Sequence, residues 1–514
     1  MKKRLSKMML LGIGAALLLT GCKKKEEAPV AEETPEIIVE EVVPETPEET
    51  ENEIPLSIHT KVNDKTYYFE DGENAYLYLQ YCDVTVEGDG YEKVKRNIEN
   101  WSLERSEGLR SLYTSFEEQA VASGAQEQED FYGYTLYQTV QTARVDDAVV
   151  SLLDDTSQYI GGNHGEFYRE GINFDTQTGK RLELSELFTD YDHFIEDAKE
   201  RIIYELKDRY EDELAADYES TVRAMWQDGK EPQWYLDASG IIIVLQEYSV
   251  GDYSMGAPEI CFPYSEYKAY IKENYLPADG DGVAIFQENQ EVFFTLPDTR
   301  ENVSLMLLRE EGEDGISYSS LWLGQSELKL EEYLTLGKSY LVRHNGEVYC
   351  MLEVDRASDD YETSIYRLTN GIIEKIDMIT ASIDGGNINS HEVKMESWIY
   401  FLGTYGGVKT YNFQDGEHFV TEDMEYLLER NQYVLTSKTD LPVQLEGEET
   451  ESVLPAGSNI ILNATDGETY VKFTIQETGQ TGTMMVQRDS NDYYQITING
   501  INENACFEML PYAG

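Results

Sequence analysis

Between Tyr91 and about Ser123 the apolar residues Val94, Ile98, Trp101, Leu109, Leu112, Phe116 and Ala120 fall mostly at steps of three or four. That spacing gathers them on one face of a helix, with Gly108 as a candidate break. From Tyr132 to Tyr159 the period changes to two (Tyr134, Leu136, Gln138, Val140), and Asp146-Asp147 interrupts it, so a β-hairpin is expected. A third strand over Glu166–Asp175 and a turn at Thr176-Gln-Thr-Gly179 follow. A short turn at Ser185–Phe188 leads to a long helix over about 190–226, with Ile195, Ala198, Ile202, Leu206 and Tyr210 on one face. Strands at Trp234–Asp237, Ile241–Tyr248 and Glu259–Phe262 and a closing helix at Tyr264–Asn274 complete the unit. Two long helices on an antiparallel sheet make an α+β domain over 56–276.

Beyond residue 283 the pattern is one of short strands punctuated by His344-Asn345-Gly346, Asn370-Gly371, Gly406-Gly407 and Asp415-Gly416. An all-β region is expected, with 283–430 as a propeller-like meander or a sandwich and 432–514 as a separate β domain.

Two segments stand outside any fold. Residues 1–22, MKKRLSKMMLLGIGAALLLTGC, combine a basic start, a short apolar run and Leu19-Thr20-Gly21-Cys22, the layout of an export signal. The ending is similar to the lipobox of bacterial lipoproteins, which implies that Cys22 carries lipid and that the mature chain is held at the extracytoplasmic face of the cell membrane. Residues 23–55 are rich in Glu and Pro and poor in aromatics, a stalk that cannot bury enough apolar surface to fold. Fully extended, such a stalk spans at most roughly 110 Å.

Charge narrows the partners. Lys and Arg number 40 against 99 Asp and Glu, a net charge of −59. The leader contains four bases and no acid, so without it 36 bases face the same 99 acids. Nucleic acid and anionic lipid are poor electrostatic partners, whereas a cationic protein would be steered in; a role in solubility alone is the competing reading of the charge. Cys82, Cys261, Cys350 and Cys506 could form two disulfides, but their apolar, strand-like contexts favour buried thiols, and no CxxC pair suggests a metal.

Candidate chemistry is sparse. Ser265-Glu-Tyr-Lys268 fits S-x-x-K but has no K-T-G partner, and reads as the capped start of a helix. No G-x-S-x-G, H-E-x-x-H, phosphate-binding or calcium loop occurs, so no catalytic residue, metal or cofactor is assigned. His164, in the cluster Gly161, Gly162 and Gly165, reads first as part of a tight turn and second as a ligand contact. The loop Tyr248–Gly256 offers Tyr248, Tyr253 and Met255 as interface anchors, with core packing of the tyrosines as the competing reading.

The motifs Gly161-Gly-Asn-His-Gly165, Asn173-Phe-Asp175, Thr178-Gly-Lys180 and Leu184–Phe188, with Gly240–Tyr248 and Gly256–Tyr264, resemble the extracellular domain of lysozyme-sensing anti-sigma factors. Residues 76–155 resemble the companion domain, which also accompanies the catalytic domain of some peptidoglycan deacetylases. The resemblance implies a cell-surface α+β domain, known in some members to bind a muramidase. Only seven residues precede the apolar run, which leaves no sigma-binding segment, and the deacetylase's metal-binding Asp and paired histidines have no counterpart. The end of the chain, through Leu454-Pro-Ala-Gly457, Tyr470–Phe473 and Gly479-Gln-Thr-Gly482, is similar to bacterial SH3-like domains, which implies binding of wall peptides or glycans. The expectation is a non-catalytic envelope lipoprotein that binds or inhibits a cationic muramidase, or binds wall material. The competing expectation is a wall hydrolase, for which converging carboxylates of perturbed pKa in a pocket would speak.

Overall fold

The computed structural model describes residues 55–512, apart from the short segments 71–74, 128–130, 312–316, 331–334, 357–360, 415–417, 430–432 and 489–494. Cys22, the leader and nearly all of the stalk, as well as the expected turn at Asp415-Gly416, lie outside the described residues.

Strands β1 (Ser57–Tyr68) and β2 (Ala75–Glu87) pair antiparallel. Helix α1 (Glu92–Ala122) then carries the chain back across the sheet, so that β3 (Tyr134–Val145) pairs with β2 in parallel, Leu77 opposite Tyr134. A parallel neighbour demands such a crossover, and the expected purely antiparallel sheet is therefore mixed. The helix buries Val94, Ile98, Leu109, Phe116 and Ala120 and runs unbroken through Gly108. β4 (Val149–Tyr159) and β5 (Glu166–Asp175) continue from β3 as the expected hairpin and third strand. At the first turn the Asp146 carboxylate accepts hydrogen bonds from the Ala148 and Val149 amides, both at 2.9 Å.

The expected long helix is two, α2 (Tyr191–Tyr210) and α3 (Tyr218–Ala224). Residues 213–215 leave helical geometry to bond the loop around Gly251, through Ala215 N–H to Val250 O at 2.9 Å and Asp252 N–H to Glu213 O at 3.1 Å. Phe194, Ala198, Ile202 and Leu206 of α2 pack on a three-stranded sheet of β6 (Gln233–Leu236), β7 (Gly240–Val244) and β8 (Glu259–Pro263), against Ile241, Ile243, Ile260 and Phe262. This sheet lies hard against β5. A Cβ on Gly171 would stand 1.8 Å from Trp234 O, so glycine is what lets the two backbones meet. The closing helix is shorter than expected, α4 (Tyr264–Tyr267), and Pro263 rather than Ser265 stands at its start.

Strand β9 (Gly282–Ile285) enters the first sheet beside β3. A four-stranded meander follows, β10 (Glu291–Thr295), β11 (Asn302–Glu311), β12 (Ser317–Leu323) and β13 (Ser326–Lys329). A second, β14 (Thr335–His344), β15 (Glu347–Asp355), β16 (Tyr361–Thr369) and β17 (Ile372–Ile379), continues the first sheet from β9 to a total of ten strands. Asn345-Gly346 and Asn370-Gly371 close its hairpins with positive φ at both positions, 48° and 76°, then 49° and 69°, as two-residue turns require. β18 (Ser382–Ile388), β19 (Glu392–Tyr400) and β20 (Thr404–Gln414) begin an eleven-stranded sheet that takes in Asn459–Thr465, Tyr470–Ile475 and Thr481–Met485 near the end of the chain. Gly406-Gly407, expected as a turn, lies inside β20. Cβ atoms there would strike Glu396 Oε1 at 1.8 Å and Ile399 Cγ1 at 2.5 Å. The whole is mostly β, with an α/β region first and a β-rich region after it. Cys82, Cys261, Cys350 and Cys506 are buried.

Candidate functional site

The β4–β5 connection and the Tyr248–Gly256 loop meet at the surface. Gly161 and Gly162 turn the chain with φ of 95° and 103°. Gly165 works differently, because a Cβ there would sit 2.6 Å from Gln158 O. The turn holds the His164 ring flat on Tyr253, with centroids 4.1 Å apart at 16°, while the Tyr248 hydroxyl lies 3.0 Å from His164 Nδ1 and 3.1 Å from Nε2. Tyr248 itself has φ of 61°, a left-handed conformation that is costly for an aromatic residue and turns its ring toward the hairpin. Both tyrosines stay open to solvent, at 49% and 45% exposure. Three residues singled out in the sequence, 84 positions apart at the least between hairpin and loop, thus form one exposed aromatic cluster.

Met255 does not share that surface. It is 7% exposed and packs in the core of the second sheet with Leu206, Val250 and Ile260. Gly251 makes room for it, since a Cβ there would stand 2.0 Å from Met255 Sδ and 2.6 Å from Glu213 O. The loop is anchored from below by this side chain, and its tyrosines face outward.

Beside the cluster runs a groove of about 350 Å³ lined by Thr156, Gln158, Glu166, Phe167, Tyr168, Gln246, Glu247 and Tyr248. Its floor is the outer edge of β5. The Gln246 amide accepts from Arg169 N–H at 3.1 Å and donates to Arg169 O at 2.7 Å, and the Glu247 carboxylate accepts from Phe167 N–H at 2.8 Å. Two side chains thereby stand in for a further strand on an edge that would otherwise offer its amides to other chains. Under the groove Arg169 grips the Asp155 carboxylate with two bonds of 2.7 Å and reaches Glu259 at 2.7 Å, and Tyr235 donates to Glu259 at 3.0 Å. The Gln158, Gln246 and Glu247 contributions lack any sequence motif. Only the chain fold brings them to Tyr248.

Among the described residues burial raises the carboxyl groups of Asp154, Asp237 and Glu503, and none of them lines the groove. Burial pushes Asp237 and Asp154 up to about 6 from the ordinary 3.8, and Arg105 and the Gln138 amide partly oppose the rise at Asp154. Cys261 and Cys350 are driven upward by burial, which leaves them protonated and unreactive. Among the described residues no group of three or more His, Cys, Asp or Glu is placed to hold a metal ion.

Residues 185–265 match a family described as a protein of unknown function, DUF3298. The sequence similarity to that family is confined to this span. The span comprises α2, α3 and β6 to β8 with the Tyr248–Gly256 loop, while His164 comes from the hairpin before it. Solved structures of DUF3298 family members are similar to this chain. One from Bacteroides fragilis is 18% identical with a TM-score of 0.34, covering 43% of this chain and 95% of its own. One from Pseudomonas aeruginosa is 21% identical with a TM-score of 0.32, covering 44% of this chain and 98% of its own. No curated protein matches the chain. Among the described residues no helix is long and apolar enough to cross a membrane.

Proposed function

We propose that the protein is a non-catalytic binding protein of the cell envelope, tethered through lipid on Cys22, whose aromatic groove receives a basic side chain of a cationic protein of the muramidase class. One observation carries the reading: Glu166 and Glu247 flank Phe167, Tyr168 and Tyr248 in a single open groove. Carboxylates and aromatic faces together suit a Lys or Arg head, by ion pairing and by attraction of the cation to the rings. A net charge of −59 supports the same class of partner, since it draws cations in from a distance. The resemblance of the hairpin and loop motifs to lysozyme-sensing domains adds to it. The hydrolase reading has less support, because the carboxyl groups with raised pKa are interior and do not converge on the groove. In this proposal the strand-rich end, read as SH3-like, gives a second attachment to wall material.

The test is affinity for lysozyme, and for an unrelated protein of similar basicity, measured with the soluble 56–514 portion across salt. Long-range attraction alone fades as salt approaches about 0.15 M, where the screening length is near 8 Å. Lysozyme binding that persists there while the control is lost supports the proposal. Equal affinities that vanish together would sink it, and retention on wall fragments alone would reassign the groove to glycan.

A further inference from the structure

Arg144 on β3 and Arg343 on β14 face one another across β9, opposite Ala284 and Gly282 in the two ladders. Positions two apart on one strand point to the same side of a sheet. Because the strand between them offers there only a methyl group and a hydrogen, a crevice of about 10 Å³ remains, lined also by Ala238, Pro277 and Leu341. That is room for one particle the size of a water molecule.

The polar groups around it do not balance. Arg144 is 1% exposed. Its Nε donates to Asp146 Oδ2 at 2.7 Å, and its Nη1 donates to the Tyr264 hydroxyl at 2.9 Å and Tyr275 O at 3.0 Å. Its Nη2 is buried without a partner among the described residues. Arg343 as a residue is half-buried, but its Nε is buried and, among the described residues, unpartnered, and the guanidinium makes no ion pair there, its ring contact being Phe294 at 6.0 Å. Asp146 is committed to Arg144 and to its own turn, since its second oxygen holds the Ala148 and Val149 amides. Two guanidinium groups and one carboxylate therefore leave a single uncompensated positive charge, with N–H groups still to satisfy. Burial first, and then the Arg144 charge, hold the Arg343 pKa below its ordinary value against the opposing pull of Asp146 and Asp279. Asp279 is itself exposed.

We propose that this crevice binds one small monovalent anion of the halide class, chloride in practice, bridging Arg144 Nη2 and Arg343 Nε. A water molecule would satisfy the N–H groups but leave the charge. Sulfate or a carboxylate-bearing metabolite is too large for the space. The bound ion would pin β3, β9 and β14 together at the seam where the α/β region meets the later meander.

The experiment uses the full chain. Chlorine-35 line broadening is measured on the unmodified protein, with bromide as competitor and Arg343→Met as reference. Thermal unfolding is followed in parallel in sodium chloride and in sodium gluconate of equal ionic strength. The proposal expects broadening that bromide displaces and that Arg343→Met loses. It also expects a saturable rise of a few degrees in the unfolding midpoint with chloride and not with gluconate, as for a ligand that binds only the folded state. Superimposable salt curves and no displaceable broadening in the unmodified protein would overturn it and leave a water in the crevice. That readout does not depend on whether the variant folds.

Discussion

At Asp237, in the turn between β6 and β7, one carboxylate oxygen accepts from the Ser239 amide and hydroxyl, both at 2.7 Å, and from the Gly240 amide at 2.9 Å. The other is buried with no donor among the described residues. Since burial raises the folded pKa to about 6 against an ordinary 3.8, the folded chain holds a proton that the unfolded chain has released between those values. The resulting stabilisation, on the order of 3 kcal/mol, is fully present below the unfolded pKa and is lost as pH rises through the folded one. Urea midpoints should therefore climb as pH falls from 7 toward 4, and Asp237→Asn should flatten that climb by its share. An unchanged slope in the variant would mean that the carboxylate is ionised and solvated. At Gly108 the reasoning is simpler. A Cβ meets nothing within 4 Å and the position lies on the exposed side of α1. Gly108→Ala should stabilise by about 0.5–1 kcal/mol, seen as a higher midpoint at unchanged slope.

Elements are held by close approaches that no periodicity announces. Gly171 lets β5 meet β6 and Gly251 lets the tyrosine loop sit on the break between α2 and α3. Gly171→Ala should cost on the order of 1–3 kcal/mol or more, by forcing backbone against backbone. Gly251→Ala should lose the ordering of the loop and expose Met255, readable as faster amide exchange over 248–256 with little change elsewhere. The elements themselves were legible where their pattern was strong: the steps in α1, the alternation in β3, and the Asn-Gly turns after β14 and β16. β1 and β2 were not, because tyrosines at 67, 68, 76, 78 and 81 straddle buried and exposed positions and blur the alternation. The long helix misled for a different reason, since residues 213–215 bond the loop at Val250 and Asp252, far along the chain. The site was half legible. Glycines and tyrosines drew attention to His164, Tyr248 and Tyr253, but Met255 is indistinguishable in sequence from an exposed anchor, and the Gln246 amide that caps β5 has no motif at all.

For the whole molecule, charge and tether set the terms. If lipid on Cys22 holds the protein to the membrane, Cys22→Ala should release it to the soluble fraction with its fold intact. A variant that stays membrane-bound without lipid would contradict the anchor. The contribution of the aromatic cluster that flanks the groove is separable from that of net charge, because Tyr253, stacked on His164, is exposed and changing it alters neither charge nor core. The most direct measurement is the affinity for lysozyme at about 0.15 M salt of the unmodified 56–514 portion and of Tyr253→Ala, with unfolding midpoints recorded for both. An aromatic anchor at the centre of an interface contributes about 2 kcal/mol or more. The account predicts binding weakened some thirtyfold in the variant at an unchanged midpoint. Equal affinities for the two proteins would contradict it.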